Sequence, residues 1–162
     1  MANKLDGKLK VWRSNVRQYD LVALGYQVSI FVISIVYAAV LTSMPLDAFK
    51  DRANYLVYAT SPLEILMRYI SGGGASVAFN EPAWLLLNIG LGSFLEPENV
   101  VRALIFFPAF TTSFFVLRSN PRNCIFLLAF LLAPQIIKNN ITHLRQGVAI
   151  SVFLLGWFTV GV

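Results

Sequence analysis

The chain has 162 residues, of which 57% are apolar and only 13% charged, with a mean hydropathy of +0.65. Water-soluble domains carry about a quarter charged residues, so this composition excludes a soluble globular fold as well as a disordered chain. Thirteen basic against eight acidic residues leave a net charge of +5, and the bases flank long apolar runs, the pattern of membrane-span boundaries rather than of a nucleic-acid surface. The single cysteine, Cys124, precludes an intrachain disulfide, and the single histidine, His143, leaves no Cys/His cluster with metal-ligand spacing. Neither a metal nor another cofactor is implied. The expected fold is all-α, a polytopic membrane bundle of four to five spans.

Residues 1–20 are polar and basic, with Lys4, Lys8, Lys10, Arg13 and Arg17 against Asp6 and Asp20. Residues 21–44 follow without a charge. At about 1.5 Å per residue this run gives roughly 36 Å of helix, enough to cross a hydrocarbon core of ~30 Å. It is too long for a secretory h-region. The positive-inside rule puts residues 1–20 in the cytoplasm, and residues 21–162 form the transmembrane domain.

Residues 45–80 then form an outward loop with two short helical patterns. In the first, Asp51, Tyr55 and Tyr58 share a face. The second opens on Ser61-Pro62-Leu63-Glu64, a capping box with proline at the first helical position, and ends at Gly72-Gly73-Gly74. Its length and amphipathicity predict a helix lying in the membrane interface.

Residues 81–95 are apolar but amount to only about 22 Å of helix, short for a span. Residues 100–117 suffice for one, with Arg102 placed to snorkel. Residues 123–137 are borderline and contain Pro134, and residues 138–147 are polar. A last apolar run, 148–162, ends without a polar flank, which predicts a chain continuing beyond this sequence. The orientation after Leu95 stays open. If 81–95 spans, eight basic residues lie inside against five outside. If it re-enters, the count is seven against six and Arg145 faces outwards.

Three islands carry a resemblance: Asp51-Arg52-Ala53-Asn54-Tyr55, Glu81-Pro82 leading into Trp84 and Leu85-Leu86-Leu87-Asn88, and Asn140-Ile141-Thr142-His143-Leu144-Arg145-Gln146-Gly147-Val148-Ala149-Ile150. In this order they resemble the EpsG family of Wzy-type bacterial polysaccharide polymerases over roughly residues 45–160. The resemblance implies a multi-pass protein of the bacterial inner membrane that joins oligosaccharide units carried on undecaprenyl pyrophosphate, in O-antigen, capsule or exopolysaccharide synthesis. Its partners would be that lipid-linked oligosaccharide, the bilayer and other polysaccharide-assembly membrane proteins, with no nucleic acid.

That reaction needs cationic donors facing the departing pyrophosphate and a carboxylate within reach of the acceptor hydroxyl. Arg145 suits the first role, in the opening turns of a helix that Asn140 or Thr142 would cap. Lys138, His143 and Gln146 stand near it in sequence. Glu81 is the candidate base, and Asp51, Tyr55 and Asn88 are candidate sugar ligands. The competing readings are an anchoring charge for Arg145, a dipole-favoured first-turn carboxylate for Glu81 and an interhelical bond for Asn88. Other functions consistent with the sequence are a lipid-linked sugar transporter or flippase, an O-antigen ligase, and an inactive truncated remnant of the polymerase.

Overall fold

The computed structural model describes residues 2–45, 52–73 and 82–160. Asp51 and Glu81, two of the residues singled out by the sequence, lie outside the described residues. Among the described residues all regular structure is helical: α1 (Ala2–Ser43), α2 (Arg52–Thr60), α3 (Pro62–Ser71), α4 (Pro82–Gly92), α5 (Pro97–Ser119), a 3₁₀ turn (Pro121–Asn123), α6 (Cys124–Leu131), α7 (Pro134–Thr142) and α8 (Leu144–Val160). Two stretches, Leu21–Ser43 and Pro97–Ser119, are long and apolar enough to cross a membrane.

The most extensive packing joins α1 to α5. Ile30, Ser34, Tyr37, Ala38 and Leu41 recur at helical spacing and are all buried, while Val28, Phe31, Val32, Val36 and Val40 on the other faces are exposed. A helix that is apolar all round and buried on one side asks for an apolar solvent on the rest. Ser34 and Ala38, one turn apart and fully buried, are small enough to bring backbones close.

A few contacts fix the direction of every long helix. The Arg102 guanidinium donates to the Thr42 carbonyl at 2.6 Å, so α5 starts where α1 stops and the two run antiparallel. This bond also satisfies a carbonyl of the last turn of α1 with a cation, the charge that a helix C-terminus favours. Gly147 of α8 packs on Pro108, and Phe158 stacks on Phe115 with centroids 4.2 Å apart. Helix α8 therefore runs parallel to α5. The segment between them, α6 and α7, must return the chain from the Ser119 end to the Arg102 end.

That return is broken where the sequence places Pro134. Without an N–H, proline cannot continue α6, which closes with Leu132 N–H to Leu128 O and Ala133 N–H to Phe130 O. The Tyr37 hydroxyl donates to the Leu131 carbonyl at 2.9 Å, both within the core, and supplies a donor that the helix lost at the break. Helix α4 has 11 residues and packs against α2 and α3.

Candidate functional site

The three sequence islands, as far as they are described, meet at the Arg102 end of the bundle. Helix α8 begins at Leu144 with His143 as the preceding residue, whose carbonyl accepts from Gly147 N–H at 2.9 Å. This corrects the expected capping. Asn140 lies inside α7, buried, with its side-chain nitrogen lacking a partner. Arg145 is therefore in the first turn of α8, as expected, but through a different boundary.

The structure gives a reason for Gly147, the glycine that follows Arg145-Gln146. A Cβ at this position would lie 3.1 Å from Pro108 Cβ, so a side chain there would hold α8 off α5. The close approach sets the height and roll of the first turn of α8 and with them the position of Arg145. Ser151 reinforces the same stretch by donating to the Gly147 carbonyl at 2.8 Å.

Arg145 is held among rings. Its guanidinium carbon lies 4.8 Å from the centroid of Tyr58 and 5.7 Å from that of Trp84, both inside the cation–π range of about 6 Å. Trp84 in turn meets Tyr55 edge-on at 6.0 Å. Tyr58 shares a hydrogen bond with Tyr69 of α3, and this bond, with burial and the nearby Tyr58 phenol, raises the pKa of Tyr69 above the ordinary phenol value against the pull of Arg145 and Arg68. Tyr69 therefore stays a neutral hydroxyl at neutral pH. Helix α8 supplies the arginine, α2 and α4 the rings, and α3 the Tyr69 that meets Tyr58.

Below the cage opens a cavity of about 600 Å³ between α4 and α8. Trp84, Arg145 and Gln146 line it near the start of both helices, and Leu87, Val148, Ala149 and Val152 continue it as an apolar groove. The indole Nε1 of Trp84 is buried and has no hydrogen-bond partner, a condition that costs free energy. A cation at the head of an apolar groove suits an anionic head carrying a hydrocarbon tail. Among the described residues no three His, Cys, Asp or Glu side chains are grouped as metal ligands.

The structure distributes the other expected site residues unevenly. Tyr55 and Gln146 belong to the cage and its cavity. Asn88 does not line the cavity. It is fully buried, and its amide nitrogen donates to the Trp84 carbonyl one turn earlier at 2.8 Å, which leaves its oxygen without a partner. Lys138 and His143 are exposed and are not among the cavity-lining residues. The residue that sequence reasoning undervalued is Trp84. Its signal was an indole, apolar in body and polar at one edge, inside the first turn of a helix too short to span.

No family of known proteins, no curated protein and no solved structure matches the chain.

Proposed function

We propose that the chain is a multi-pass protein of the bacterial inner membrane that works as a polysaccharide polymerase of the EpsG type. It crosses four times, through α1, α5, the broken pair α6–α7 and α8, with its N-terminus in the cytoplasm and the cage of Arg145 at the outer face. The observation that carries this reading is that Trp84 of the second island meets both Arg145 of the third and Tyr55 of the first, at the head of an apolar groove. In this orientation seven basic residues lie inside and six outside, a weak bias by number. Two of the outer six are engaged by the fold, Arg102 on the Thr42 carbonyl and Arg145 between rings, so the bases left on outward segments are fewer than the count suggests.

The reaction joins two lipid-linked saccharides. An acceptor sugar hydroxyl attacks the anomeric carbon of the donor, its proton passes to a carboxylate base, and the bond from that carbon to the pyrophosphate oxygen breaks. Arg145 faces the charge that grows on the leaving pyrophosphate, and the prenyl chain follows Leu87, Ala149 and Val152. Glu81 and Asp51 are the candidate bases and sugar ligands, with Tyr55 as a stacking ring. Expression of the chain in cells deprived of their own polymerase tests the reading. Restored long-chain glycan supports it, and glycan that remains at single repeat units contradicts it.

Topology has its own test. With Cys124→Ser as background, a cysteine at Ser76 should react with a membrane-impermeant thiol reagent in cells with a permeabilised outer membrane, and one at Ser14 should be protected. The reverse pattern would invert the orientation and take Arg145 away from the outer face.

A further inference from the structure

Helix α3 divides into three lengthwise sectors. Pro62, Ile65, Leu66 and Tyr69 are half-buried against the protein, which fixes the roll of the helix, and Tyr69 meets Tyr58 of α2. Leu63, Met67 and Ile70 form the next sector and are 59%, 62% and 54% exposed. Glu64, Arg68 and Ser71 form the third and are exposed as well. At 100° per residue these sets follow one another around the helix without overlap.

A helix of a water-soluble surface has two sectors, one buried and one polar. A third, apolar and open, needs an occupant. Its neighbours identify that occupant. Helix α3 packs on α4 at the end of the bundle where α1 stops and α5 starts, so it lies at the rim of the exposed apolar faces that α1 presents along Val28, Val32, Val36 and Val40. The polar sector borders the apolar one directly, the arrangement of a helix lying flat at a boundary between water and hydrocarbon. Gly72 and Gly73 then turn the chain out of the helix, Gly73 at φ +99°, where side chains with a Cβ are strained.

We propose that α3 is set into the surface of the bilayer through Leu63, Met67 and Ile70, with Glu64, Arg68 and Ser71 towards water. The occupant of the apolar sector is lipid acyl chain. This rests on the membrane reading above and adds a depth and a roll angle for one helix. Because the inner sector of α3 carries Tyr69 to Tyr58, the leaflet surface holds one wall of the Arg145 cage in place.

Spin labels at three positions decide it, each introduced singly as Val36→Cys, Met67→Cys or Arg68→Cys in the full chain with Cys124→Ser. The protein is reconstituted in phosphatidylethanolamine–phosphatidylglycerol vesicles, and each label is scored by collision with oxygen, which concentrates in lipid, and with a water-soluble nickel chelate. The Met67 label should collide with oxygen several-fold more, relative to nickel, than the adjacent Arg68 label does. A Met67 label that meets nickel as readily as the Arg68 label, or is shielded from both agents by protein, overturns the proposal. The Val36 label separates the two levels. If it reports lipid while Met67 reports water, only the placement of α3 fails; if it also reports water, the membrane reading fails with it.

Discussion

Arg145→Lys is expected to leave protein level and topology unchanged and to reduce polymerisation about 10²–10³-fold, the usual effect of losing one well-placed donor to a developing anion. The expectation comes from geometry as well as charge. Tyr58 and Trp84 hold a planar guanidinium at 4.8 and 5.7 Å, and a guanidinium can donate two parallel hydrogen bonds to phosphate oxygens. An ammonium in the same place is a compact point charge that cannot form that fork. Arg145→Ala should lose more, because the cation disappears too. A topology anchor behaves differently, since lysine satisfies the positive-inside rule as well as arginine does. Glycan chain length in cells lacking their own polymerase, at matched membrane levels of each variant, separates the two. Wild-type chain lengths with Arg145→Lys would make Arg145 an anchor.

Gly147→Leu is expected to destabilise the bundle by about 1–3 kcal/mol, the range for overfilling a packed contact, and to abolish activity with it. Its Cβ alone would stand 3.1 Å from Pro108, and the remaining side-chain atoms would force α8 away from α5. Gly147→Ala makes the informative comparison. It needs a shift of a few tenths of an ångström at Pro108, while replacing a helical glycine by alanine returns up to about 1 kcal/mol. Its stability should therefore stay near wild type. Thermal unfolding of both variants in detergent micelles gives the measurement, and equal stability of Gly147→Leu and wild type would mean that α5 and α8 do not meet there.

The two long apolar helices were legible because unbroken apolar length is itself the physical requirement for a span. The break at Pro134 was legible for a similar reason, since proline breaks the hydrogen-bond ladder whatever surrounds it. Chain direction beyond Leu95 was not. The two orientations differ by a redistribution of a few bases, and residues such as Arg102 serve helix ends inside the fold, where they carry no loop signal. Asn88 shows another limit. Helical spacing puts it on a definite face, yet nothing local says whether that face meets a cavity or the interior, and the fold buries it completely. The Ser61-Pro62-Leu63-Glu64 signature located the start of α3 correctly, at Pro62, although the Ser61 side chain forms no capping bond there. The Arg145 cage was half visible, as an arginine in one island and aromatic residues in two others. What joins them is contact between residues more than eighty positions apart in sequence, Tyr58 and Arg145, which no local pattern encodes.

The central claim is that the cage and groove bind a lipid by its pyrophosphate, and equilibrium binding to the detergent-solubilised full chain tests it most directly. Labelled undecaprenyl pyrophosphate should bind saturably, and neutral undecaprenol should bind markedly less well. Charge-assisted hydrogen bonds contribute about 1.5–3 kcal/mol, so Arg145→Ala should weaken the pyrophosphate lipid by about tenfold to a hundredfold and leave undecaprenol unchanged. Equal affinity for the two lipids, or an Arg145→Ala protein that binds the pyrophosphate lipid as tightly as wild type, would contradict the account.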